Sequence, residues 1–151
     1  MNTTFADYAA QQEARESTEA TILKYTHFLC EALKHNYVDS AIRGHQQYAD
    51  KSVEFSVDYN YHMQKIAELK TGECPVDFTI DTKRKYHKIV FADGGGQKSV
   101  HAFIDIKTGD VLKAATWNNP AKDVRYNLLD DEQREWIYEN ATWSGQYLYV
   151  C

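Results

Sequence analysis

Ser99–Asn127, SVHAFIDIKTGDVLKAATWNNPAKDVRYN, is the stretch whose reading decides the fold. Val100, Ala102, Ile104 and Ile106 alternate with Ser99, His101, Phe103, Asp105 and Lys107. A period of two with one apolar and one polar face marks a half-buried antiparallel strand. Thr108-Gly109-Asp110 supplies a turn in which glycine can take the positive φ of a hairpin, and Val111–Trp117 reads as the return strand. Asn118-Asn119-Pro120 then reads as the start of a short helix. Asparagine caps well, and proline suits the first helical position because its missing N–H would be unpaired there.

A helix start has chemical meaning. Its first turn leaves backbone N–H groups unpaired, and the peptide dipole favours anions there. Lys122 and Arg125 are three residues apart and would share a helical face. Strand end, cap and two cations together make a phosphate cradle. The same residues also fit a surface turn whose cations pair with Asp123, Asp130 or Asp131. Phe103, on the polar face between His101 and Asp105, can stack on a base or sugar unless a second layer covers that face. Trp117, beside Asn118 and Asn119, carries the same two readings.

Working outward, residues 4–35 read as a long helix, with Ile22, Tyr25, Phe28, Leu29, Ala32 and Leu33 at three- and four-residue spacings. Its first half, thinly apolar apart from Phe5 and Tyr8, either projects into solvent or packs on a partner subunit. Residues 38–69 read as mostly helical, although Val53, Phe55, Val57, Tyr59 and Tyr61 alternate like a strand. Thr71-Gly72-Glu73-Cys74-Pro75 ends that region. Residues 78–93 are strand-like around a basic bend at Lys83-Arg84-Lys85, and Gly94-Gly95-Gly96 is a hairpin turn. Residues 130–140 form a second, C-terminal helix, and 146–150 a closing strand. The fold class is therefore α+β in a single domain over 1–151: a helical N-terminal half (1–70) packed on an antiparallel β-meander, with 76–151 as the sheet-rich, ligand-binding core.

The chain of 151 residues, 43% hydrophobic and 26% charged, suits one soluble domain that needs no metal or disulfide. Eleven tyrosines are a surplus of the kind used at interfaces. The net charge of -5 hides a segment, Lys83–Arg125, with nine Lys/Arg against four acids, a local balance of +5. That pattern suits a confined anionic ligand better than a long polyanion, and also suits a solvated sheet face. Cys30, Cys74 and Cys151 are too scattered for a disulfide framework or zinc site. No charged-then-apolar leader and no run of 18 apolar residues is present, so a reducing cytoplasm is expected, without membrane contact. The six histidines fall in no metal-ligand or triad spacing; no enzyme activity, metal or cofactor is expected.

From Tyr86 onward the sequence also carries a family likeness. KRKYHKIV (83–90), SVHAFIDIKTGDVLKAATW (99–117) and PAKDVRYNL (120–128) resemble small phage and prophage proteins sharing a KTGD…PAK…VRxNL pattern, and among them the first anti-Thoeris (Thoeris anti-defence) sponge family. The resemblance covers roughly residues 78–150. It implies a non-catalytic protein that sequesters a cyclic ADP-ribose isomer, or a cyclic oligonucleotide, made by a bacterial immune system. It also implies assembly as a dimer or hexamer through helices, in the cytoplasm of an infected bacterium. The ligand-binding residues it implies are Phe103, Asn118 or Asn119, Lys122 and Arg125; Trp117, at the same corner, completes the candidate set. Two other classes stand beside this one. A nucleic-acid-binding accessory protein would use Lys83, Arg84, Lys85 and Lys88, and a small hydrolase would act on nucleotides.

Overall fold

The computed structural model describes residues 4–149. Helix α1 runs unbroken over Phe5–Lys51, 47 residues or about 70 Å at 1.5 Å per residue. Thr4 caps it by accepting from the Asp7 N–H at 3.1 Å. A turn at 52–56 leads into α2, Val57–Lys70, capped by the Ser56 hydroxyl on the Tyr59 N–H. The alternation of Val53 to Tyr61 thus builds no strand. Nothing offers it a ladder partner, and Ser56 starts a helix through its second half. The turn places Phe55 at φ 62, in the left-handed region.

Strands β1 (Asp77–Thr82), β2 (Tyr86–Ala92), β3 (Lys98–Asp105), β4 (Asp110–Ala114) and β5 (Pro120–Asn127) form one five-stranded antiparallel sheet in the order β1-β2-β3-β4-β5. The meander follows from its turns. Gly109, at φ 79, closes β3–β4 so tightly that an added Cβ would lie 3.3 Å from Leu129 Cγ. Helix α3 (Asp131–Asn140) is capped by the Asp130 carboxylate on the Gln133 N–H. The fold class read from the sequence, α+β, is the one observed.

Three local expectations are corrected. Pro120 opens a strand, not a helix: the Asn119 carbonyl accepts from both the Ala115 and Thr116 N–H groups at 3.0 Å, which closes a hairpin where the helix cap was expected. Proline is tolerated at the first residue of an edge strand, where its missing N–H breaks no central ladder. The return strand correspondingly stops at Ala114, leaving Trp117 in the turn. The closing strand is instead a single 3-10 turn, Gln146–Leu148, entered through Gly145 at φ 85; its last residue, Val150, and Cys151 lie outside the described residues.

The core sits between one sheet face and the middle of α1. Ile22, Leu29 and Leu33 meet Phe78, Ile89, Ala102, Ile104 and Val111, closed at the end by Leu128, Ile137 and Leu148. Two long-range bonds clamp the C-terminal segment onto α1. Tyr138 donates its hydroxyl proton to the Tyr25 carbonyl at 2.9 Å, and the Trp143 N–H donates to Asn36 Oδ1 at 2.9 Å. Residues 5–20 of α1 are largely exposed, as are Tyr48, Val53, Phe55, Val57 and Tyr61 around the α1–α2 turn.

Candidate ligand site on the outer sheet face

Paired residues in a sheet share a face, and the register defines two rows. Thr82, His87, Ile104, Val111 and Tyr126 face the helices. Asp81, Lys88, Phe103, Leu112 and Val124 cross the outer face. This second row is the unexpected one. Phe103 and Lys88 are each only 2% exposed although no helix packs there. The β4–β5 turn brings Trp117 onto Lys88, its ring centroid 4.3 Å from the ammonium. Tyr86 meets Phe103 edge-on, ring centroids 5.7 Å apart.

Lys88 is the residue that sequence reasoning undervalued. It was grouped with the exposed basic bend, yet it sits between Tyr86 and Val90 on their side of β2, and that alternation was the available signal. Its row neighbour Asp81 pairs with Lys83 instead, at 3.1 Å. Among the described residues Lys88 has no carboxylate within 4 Å. The corner under Trp117 therefore holds a cation with no counter-ion within 4 Å among the described residues.

The remaining candidates are only partly gathered there. Asn118 and Asn119 are exposed in the turn beside Trp117, which is 47% exposed. Asn119 closes the hairpin, its N–H donating to Thr116 Oγ1 at 3.1 Å. Lys122 is exposed on β5. Arg125 is the extra residue of a β-bulge, because Val111 pairs with Tyr126 while Leu112 pairs with Val124. Its Nε is buried with no hydrogen-bond partner, and its Nη1 lies 3.9 Å from Asp123 Oδ2, so the guanidinium fork is largely unused. No hydrogen bond, ion pair or ring contact among the described residues joins Lys122 or Arg125 to Trp117 or Lys88. Phe103 is no open stacking platform; its ring is buried, with Tyr86 edge-on to it.

His101 also leaves its expected neighbours. Ile89 pairs with Ala102 while Val90 pairs with Val100, so His101 is a bulge residue, turned to the helix side and away from Phe103. There it meets Phe78 edge-on, and its Nε2 hydrogen-bonds the Tyr147 hydroxyl at 2.7 Å. Burial pushes its pKa down to about 4, which keeps the ring neutral. No group of three or more His, Cys, Asp or Glu among the described residues could hold a metal ion. No helix among them is long and apolar enough to cross a membrane. No curated protein and no solved structure matches the chain. A family model does match residues 5–150, nearly the whole of what has been described, and the chain belongs to that family of unknown function, DUF7717.

Proposed function

We propose that this protein is a non-catalytic sponge that binds and sequesters a small cyclic nucleotide, a cyclic ADP-ribose isomer or a cyclic oligonucleotide. In this reading it is phage-encoded, acts in the cytoplasm of the infected bacterium and blocks Thoeris-type defence. The observation that carries the binding reading is the Lys88 ammonium, 4.3 Å from the centroid of the half-exposed Trp117 ring and, among the described residues, with no carboxylate within 4 Å. Such a pair offers a charge for phosphate and a face for a base, and asks for no proton transfer. Arg125, with an unpartnered Nε nearby in the same hairpin, is the second candidate for phosphate. The family likeness supplies the identity of the ligand; the site itself supports only its chemistry.

Incubating the protein with candidate cyclic nucleotides, washing, heat-denaturing and identifying the released compound tests the reading directly. The ligand should come out unchanged; a hydrolysed product would make the protein an enzyme. Lys88→Met keeps the stem and removes the charge, and should weaken capture by about one to two decades, as should Arg125→Ala. At a hundredfold excess over Kd the ligand should stabilise the wild type by roughly 2.7 kcal/mol, a rise of several degrees in Tm. At the same ligand concentration Lys88→Met and Arg125→Ala should keep only about half of that rise or less, with the ligand-free circular-dichroism spectrum unchanged.

A nucleic-acid reading retains one observation of its own. Lys83, Arg84, Lys85 and Lys107 are all exposed at the same end of the sheet, around the β1–β2 and β3–β4 turns. Salt separates the two: a protein neutralising several phosphates of a polyanion loses affinity steeply with salt, and one holding a single small ligand does so shallowly.

The sponge is further proposed to be a homo-oligomer, a dimer or hexamer. Phe5, 83% exposed, and Tyr8 on the projecting arm of α1 support this, with the apolar α1–α2 turn. Light scattering at micromolar concentration should give a multiple of 17.5 kDa. A variant lacking residues 1–20 should give a smaller multiple with its sheet intact. A wild-type monomer would end the proposal.

A further inference from the structure

A cleft of about 310 Å³ opens on the helix side of the sheet, on the face opposite the Trp117 corner. Phe91, His101, Lys113, Trp143 and Tyr149 line it, with Ser99 and Ser144 at its edge. Its walls are fixed by bonds already in place. The Trp143 ring is held edge-on by Tyr37 at 5.3 Å and lies at 33° to Phe91, centroids 6.0 Å apart. The Asn36 bond to its backbone pins the same residue to α1. His101, bonded to Tyr147, contributes an uncharged floor.

Lys113 is the cation of this cleft. It pairs with Ala102 in the ladder, which places it on the helix-side face. Its ammonium stands 3.8 Å from the Tyr149 ring centroid, and among the described residues it has no carboxylate within 4 Å. We propose that this cleft binds a flat aromatic ring carrying a single negative charge, the ring against Trp143 and Phe91 and the charge on Lys113. Cavities of this size lined by aromatic groups with few polar ones are the usual form of small-molecule sites. One ammonium balances one charge, and a second anionic group would be left desolvated and unpaired among aromatic rings. An aromatic carboxylate and a nucleobase bearing one cyclic phosphodiester share this chemistry. The inference does not rest on the sponge reading, since it uses none of the outer-face residues.

Calorimetric titration of the full chain with 2-naphthoate and with 3′,5′-cyclic AMP tests it. At least one should bind saturably, one per chain, and the tighter of the two identifies the source. The neutral analogue of the carboxylate, 2-naphthamide, should bind at least about tenfold more weakly than 2-naphthoate wherever the latter binds. Lys113→Met and Lys113→Gln should each weaken the charged probe by about tenfold or more, whereas Lys70→Met, at an exposed position ending α2, should leave it unchanged. A variant ending at Tyr149 should bind as the full chain does. The proposal is overturned if neither probe saturates below about 1 mM, a weak limit for a built site. It is equally overturned if the amide matches the carboxylate, if folded Lys113 variants keep full affinity, or if binding appears only once residues 150 and 151 are removed.

Discussion

Phe103→Ala should cost about 3–5 kcal/mol of folding stability, the range for truncating a buried aromatic ring. The side chain is 2% exposed, packed between Lys88 and Leu112 in its row and under Tyr86. A cavity there cannot collapse easily, because the strands on either side are held by ladder bonds. For a domain of this length the loss should lower Tm by roughly 10 °C, read by circular dichroism without ligand. A variant that melts within about 2 °C of the wild type, less than 1 kcal/mol of difference, would return Phe103 to the role of an exposed platform.

Acid should act almost as strongly, through His101. Its folded pKa is about 4, against 6.5 for the ordinary side chain, and the cause is burial. A depressed pKa means that the unfolded chain takes up the proton first, so the stability is fully present above pH 6.5 and drains as pH falls towards 4. The expected loss from this group is about 2 kcal/mol between pH 7 and 5, and roughly 3 kcal/mol by pH 4. His45 and His87, whose pKa values burial also lowers, add in the same direction. Urea titrations at pH 7 and pH 5 should therefore show a much smaller difference for His101→Gln than for the wild type. Glutamine can still meet the Tyr147 hydroxyl but has nothing to protonate. Equal acid losses in the two proteins would place the pH sensitivity elsewhere.

Much of the architecture was legible because it is written in short-range pattern. The β3–β4 hairpin, the glycine turn at 94–96 and the capped helix after Asp130 follow from periodicity and turn chemistry, and all are observed. What escaped was set by pairing. Asn118-Asn119-Pro120 has the local chemistry of a helix start, and only the ladder with β4 makes residues 120–127 a strand. Single inserted residues at His101 and Arg125 are invisible to a two-residue period, yet each changes which way its neighbours point. The candidate site suffered most from this. The two-residue period puts Phe103 on the face where it lies, but no local signal says that the face is covered there or that Trp117 meets Lys88. Of the polar candidates, Asn119 closes the β4–β5 hairpin through its backbone, a role that its local sequence does not announce.

The two clamps that bind residues 138 and 143 to α1 join positions 113 and 107 apart in the chain. Every strand pairs only with its neighbour in sequence, so the meander can assemble progressively as the chain leaves the ribosome. Helix α1 cannot finish with it. Its apolar stripe at Ile22, Leu29 and Leu33 is made first, yet Ile137 and Leu148, which complete its cover, are made last. Until Leu148 is made the nascent chain therefore carries an incompletely covered hydrophobic helix, the state in which aggregation competes with folding. The closing of the fold waits for its final turn.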